Sequence, residues 1–174
     1  YSGHGVPGLR DKRGYLLPVD GDPNLAENTA YPLDVLLANL ENLPAHSVQL
    51  FLDACFSGNS AGGMLQAATS GIGISARPSL AAGENFIMLT AATDTQVASW
   101  DRDAKLGLFT KHLLDALNGE ADEDQYGNGD GMITLSEVKT YLDEEMTFQA
   151  ARRFDRQQDA TMVGGGETVL VVAN

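Results

Sequence analysis

Two short apolar runs limit what this chain can become. Residues 48–53 (VQLFLD) and 86–91 (FIMLTA) are continuous in hydrophobicity rather than alternating. A strand of that kind has both faces covered, so the chain must supply helices on either side of a sheet. It does. Leu33, Leu36, Leu37 and Leu40 fall at helical spacing, with Pro44 beyond them as a stop. Residues 107–118 (GLFTKHLLDALN) place Phe109, Leu113 and Leu117 in line, followed by Gly119. Thr134 and Glu137 form a T-x-x-E capping box, predicting a helix to about Met146. A strand at 14–20, held to an edge by Pro18, and a last strand at 168–172 complete the pattern. The fold expected is α/β: one doubly wound, mostly parallel sheet with helices on both faces. At 174 residues it is one domain, 1–174.

Composition narrows the chemistry. Eleven Lys and Arg against 24 Asp and Glu give a formal charge of −13, which repels nucleic acid and anionic membrane. No apolar run approaches the roughly 18 residues of a membrane span. A single cysteine, Cys55, leaves no internal disulfide, and three scattered histidines give no metal-ligand spacing. The glycine triplet 164–166 precedes a strand, not a helix, and is no phosphate cradle. His46 is expected to face solvent, and His112 to lie on a helix surface or boundary.

Ligands on such sheets sit at the carboxyl ends of strands. Cys55 follows the buried run 48–53 and enters a turn at Phe56-Ser57-Gly58, while His4 lies between Gly3 and Gly5. A thiol becomes a strong nucleophile only when a base or a positive field makes it thiolate, and His4 is the histidine in a comparable position. The plainer reading of a lone cysteine, a small buried hydrophobe, stands beside this one.

Residues Y-S-G-H-G (1–5) and D-A-C-F-S-G (53–58) resemble the two catalytic motifs of the caspase-like cysteine peptidases, the group of caspases, metacaspases and orthocaspases. The 51-residue separation of His4 and Cys55 matches that family too, and Ser99-Trp100 stands where caspases carry S-W-R. The resemblance implies a caspase-like fold, with Cys55 attacking the scissile carbonyl and His4 protonating the leaving amine. It implies that the backbone N–H groups of Gly5 and Cys55 form the oxyanion hole. It implies further that Trp100 lines the S2 pocket and that Ser99 offers backbone contacts to substrate. No cofactor is needed for that chemistry. Family members carry strands and helices before the histidine motif, so an N-terminal part of the domain is expected to be missing from this sequence.

Caspases cleave after aspartate with a basic S1 pocket. Two of its positions, the Gln before the Ala-Cys pair and the Arg after S-W, are Asp53 and Asp101 here. Two carboxylates invert the pocket's charge and favour Arg or Lys at P1. Asp53 also fits the metacaspase pattern. The expected activity is cysteine-type endopeptidase cleavage after Arg or Lys, on polypeptides carrying basic residues. The alternatives are a catalytically silent caspase-like scaffold and a CHAT- or separase-like peptidase. A cytoplasmic location is expected.

Two segments stand apart. Residues 58–83 are dominated by Gly, Ala and Ser and occupy the place where family members are often cut into two subunits. Their one basic residue, Arg77, precedes Pro78, which predicts slow or no processing there, with 10–13 and 102–105 as other sites. Residues 115–145 carry ten acids and one base. Within the acidic insertion and helix at 120–146, Asn128, Asp130, Gly131 and Glu137 match positions 3, 5, 6 and 12 of an EF-hand loop. Position 1 is Tyr126 rather than Asp. Both a Ca²⁺ site at Asn128, Asp130 and Glu137 and a plain capped helix start remain open.

Overall fold

The structure, a computed structural model, describes residues 1–11, 13–56, 59–60, 63–64, 86–93 and 96–172. In chain order it runs β1 (His4–Pro7), β2 (Gly14–Leu17), α1 (Ala26–Thr29), β3 (Tyr31–Pro32), α2 (Leu33–Glu41), β4 (Val48–Leu52), β5 (Asn59–Ser60) and β6 (Gly63–Met64). Then follow β7 (Phe86–Thr90), β8 (Trp100–Asp101), β9 (Leu106–Gly107), α3 (Leu108–Leu117), β10 (Met132–Thr134), α4 (Leu135–Tyr141), α5 (Thr147–Phe154), β11 (Thr161–Val163) and β12 (Val169–Val172).

The two apolar runs pair as expected: β4 and β7 are parallel and in register from Val48↔Phe86 to Leu52↔Thr90. Successive side chains of β7 point to opposite faces. Ile87 and Leu89 join Leu108, Phe109, Leu113 and Leu135 in one core cluster, beneath α3 and α4. Phe86 and Met88 join Leu33, Leu37 and Leu52 in another, beneath α2. This two-sided burial is what a continuous apolar strand requires.

The sheet is more mixed than the sequence led us to expect. Strand β11 runs antiparallel to β7, β1–β2–β3 is a separate antiparallel sheet, and β10 pairs antiparallel with β12. Apolar continuity reports burial and carries no information on strand direction, which accounts for the difference. Strand β2 lies in the middle of its sheet, not at an edge, because it ends at Leu17 and leaves Pro18 outside the ladder. The helix opened by Thr134 does not stop near Met146. It passes through a π-helical turn at Leu142–Met146 into α5, no Gly or Pro interrupting it, and ends where Asp155 turns left-handed at φ +51°.

Residues 58–83, including Arg77, lie outside the described residues apart from the short β5 and β6. Among the described residues no helix is long and apolar enough to cross a membrane.

Candidate active site

The segment before β1 fixes the site. Ser2 forms a parallel bridge with Asp53 just past the end of β4, tied by Asp53 N donating to Tyr1 O (2.8 Å) and Gly3 N donating to Asp53 O (3.0 Å). Two residues further along each strand stand His4 and Cys55. The bridge therefore brings His4, at the start of β1, and Cys55, past the carboxyl end of β4, to one cavity. Beyond that point β1 leaves to pair with β2. Tyr1, which the sequence reading passed over, holds the departure: its hydroxyl reaches the carbonyl oxygens of His4 (2.9 Å) and Leu17 (3.0 Å).

His4, Cys55, Asp53, Ser99 and Trp100 all line one cavity of about 610 Å³. Cys55 is 6% exposed, and burial pushes its thiol up from the ordinary value. Backbone hydrogen bonds from Ala98 and from its own peptide, with the Arg156 charge, pull the other way, while Asp53 adds to the rise. The sulfur is thus recessed, but its residue faces the cavity.

Gly5 is in direct contact with the cysteine segment. A Cβ there would lie 2.7 Å from two carbons of the Phe56 ring and 2.8 Å from the Cys55 carbonyl oxygen. Neither atom sits on a freely movable side-chain tip, so any substitution must push β1 away from residues 55–56. Gly5→Ala is expected to lose about 1–3 kcal/mol of stability by overpacking and at least about tenfold in turnover from displaced reacting groups. Denaturant melts together with a peptide-hydrolysis assay check both.

Asp53 is 6% exposed and is built into the wall by two features. Its Oδ2 accepts from Thr110 N (3.1 Å) and Thr110 Oγ1 (2.5 Å), so the carboxylate caps α3, whose own N-cap, Gly107, has no side chain to offer. Gly107 is required there, because a Cβ would fall on the carboxylate itself. Desolvation raises the Asp53 carboxyl from its ordinary value, and the Thr110 hydrogen bonds only partly oppose it.

Two residues of the S-W segment depart from expectation. Ser99 has no backbone to spare for substrate: its N–H donates to Gln158 Oε1 (2.7 Å) and its carbonyl accepts from Leu108 N (2.8 Å). Only its hydroxyl, buried without a partner, is uncommitted. Asp101 does not line the cavity. Alternation along β8 sends Trp100 to the cleft, 47% exposed, and Asp101 the opposite way, 2% exposed. Its Oδ1 accepts from Asp103 N (3.0 Å) and Ala104 N (3.2 Å), and its Oδ2 from Arg153 (2.7 Å). These partners hold its carboxyl below the usual range. A carboxylate so occupied cannot serve a pocket it does not face.

The sequence reading also missed Arg102, Arg156 and Phe154, which line the same cavity. For Arg102 the signal was present, since it lies two residues beyond Trp100. For Arg156 none was, because the left-handed Asp155 turns the chain back at the end of α5. Gln158, fully buried, anchors this return: its Nε2 donates to Ala91 O (3.0 Å) while its Oε1 holds Ser99.

Outside the cleft, the acidic insertion forms the expected capping box. Glu137 Oε2 accepts from Thr134 N (2.8 Å) and Thr134 Oγ1 (2.9 Å), the reciprocal half of the capping box. Asn128 Oδ1 and Asp130 Oδ1 accept from the backbone of Asp130 (2.9 Å) and Met132 (2.8 Å). Asp122, not Tyr126, closes the loop, accepting from Asp130 N (3.2 Å) and Gly131 N (2.9 Å). Among the described residues no three His, Cys, Asp or Glu side chains gather as metal ligands. His46 is exposed as expected. His112 is not at a surface: it is 1% exposed, packed near Tyr141, and burial lowers its pKa.

A mixed α/β domain that presents a cysteine and a histidine at adjoining strand ends, over a cleft of peptide size, has the layout of a cysteine peptidase. Residues 1–161 match the caspase domain, and the chain belongs to that family. Membership implies polypeptide substrates. No curated protein matches the chain.

Proposed function

We propose that this chain is an endopeptidase of the metacaspase and orthocaspase type, cleaving after Arg or Lys by a Cys55–His4 dyad. What supports the reading is the meeting of His4, Cys55 and the buried Asp53 on one cavity. The Cys55 thiol loses its proton to His4 and its sulfur bonds to the scissile carbonyl carbon. The oxyanion is taken by the N–H groups of Gly5 and Cys55, donors of a kind worth roughly 3–4 kcal/mol in the transition state. His4 then gives its proton to the departing amine as the peptide C–N bond breaks. Water, deprotonated by His4, cleaves the thioester and restores the thiol. Asp53, in the cleft wall, receives the cationic P1 side chain of Arg or Lys through Oδ1, its Oδ2 being held by Thr110.

The test compares hydrolysis of an Arg-peptide reporter by this chain and by Cys55→Ala. Cleavage by the first and none by the second is expected. Equal rates, or an Asp optimum in a P1-randomised library, would refute the proposal, and a folded but inert chain would favour the scaffold alternative.

A further inference from the structure

The cleft carries charge of both signs, arranged by depth. Asp53 is buried in its wall, whereas Arg102 is exposed and Arg156 half-buried. This is unusual in a chain with so few bases. The neighbouring Arg153 shows the contrast, because it is neutralised by Asp101 and Asp103 at 2.7 and 3.0 Å. Among the described residues neither Arg102 nor Arg156 forms an ion pair. Their backbone neighbours are anchored. Arg102 follows Trp100 and the anchored Asp101, and Arg156 sits between the left-handed Asp155 and the buried Gln158.

A basic P1 side chain bound at Asp53 shares the cavity with these two guanidinium groups, and like charges at close range disfavour it. A carboxylate on the same peptide removes that repulsion and gains an attraction at the rim. From this arrangement we infer that Arg102 and Arg156 are specificity-determining residues that select substrates in which an acidic residue flanks the basic P1 residue. The inference rests on the P1 reading above and adds the substrate class: mixed-charge segments rather than polybasic ones. Arg156 also favours the Cys55 thiolate, so a substrate carboxylate drawn to it changes the field at the nucleophile.

The test uses Arg-P1 reporters carrying Glu, Gln or Lys at P2 or P3, drawn from a library in which P1 is also randomised. The expected order is Glu over Gln over Lys, with about two- to fivefold per arginine, the range of a rim ion pair. Raising salt should compress the order. Arg102→Gln with Arg156→Gln should flatten it, raising the Gln and Lys peptides relative to the Glu peptide because the repulsion is gone; Arg→Lys at both positions should retain it. A merely structural role would slow all three peptides alike and leave their ratios unchanged. The same Glu:Gln:Lys ratios in the double Gln variant as in the parent, or no Glu preference at low salt, would overturn the inference. A P1 optimum other than Arg or Lys would instead strike the proposed function, and the flanking preference is read separately from it. If no peptide is cleaved, anisotropy of labelled peptides on Cys55→Ala decides: the same order supports the inference, and equal affinities overturn it.

Discussion

His4→Ala is expected to lower kcat/KM on an Arg-peptide reporter by about 10²–10⁴-fold, the contribution of a positioned general acid–base. The loss should lie at the upper end, because burial raises the Cys55 thiol and keeps the proton on sulfur at neutral pH. A nucleophile in that state needs a base beside it at the moment of attack. The sign fixes the pH profile. A raised thiol pKa widens the range in which the cysteine stays protonated, so residual activity of His4→Ala should climb with pH and continue above the ordinary thiol value. Alkylation of Cys55 by iodoacetamide should follow the same rising limb. The variant His4→Ala with Cys55→Ala should be no slower than Cys55→Ala alone, since the two groups act as one unit. A His4→Ala chain within tenfold of the parent would remove the dyad from the mechanism.

The placement of these two groups on one cavity shows how far the sequence could be read. Apolar continuity in 48–53 and 86–91 identified the central strands, and their period-two division between two cores followed from it. Motif positions put His4 and Cys55 at strand ends. The hydrogen bonds that join their segments, Asp53 N to Tyr1 O and Gly3 N to Asp53 O, are backbone contacts about 50 residues apart in sequence and leave no local trace. Asp101 failed for a different reason. Charge type was read from its position after Ser99-Trp100, whereas the facing of its side chain depended on β8 alternation. Arg156 and Gln158 reach the site only through the turn after α5, a tertiary event that no periodicity announces.

Asp53 ties stability and specificity together, and Asp53→Asn separates them. The carboxyl is raised by burial, so the folded chain binds its proton more tightly than the unfolded chain does. Stability from this group is therefore full below the unfolded value and is lost as pH rises through the folded one. Above that folded value the ionised group stands in the wall at a net cost. Asparagine keeps an oxygen for Thr110 and removes the charge. The melting temperature of Asp53→Asn relative to the parent should thus rise with pH, by about 2–4 °C for each 1 kcal/mol relieved, and the gain should disappear in acid, below the ordinary carboxyl range. Function should move the other way. Removing one partner of a buried charge pair costs about 2–5 kcal/mol, so discrimination for Arg or Lys over a neutral P1 should fall by at least about 30-fold. In the parent the same raised carboxyl should make Arg-peptide cleavage decline with acidity at a higher pH than an ordinary aspartate would give. Melts at two pH values and a P1 library measure the pair. A variant whose melting temperature relative to the parent does not rise with pH, while it still chooses Arg, would show that Asp53 is a helix cap and nothing more.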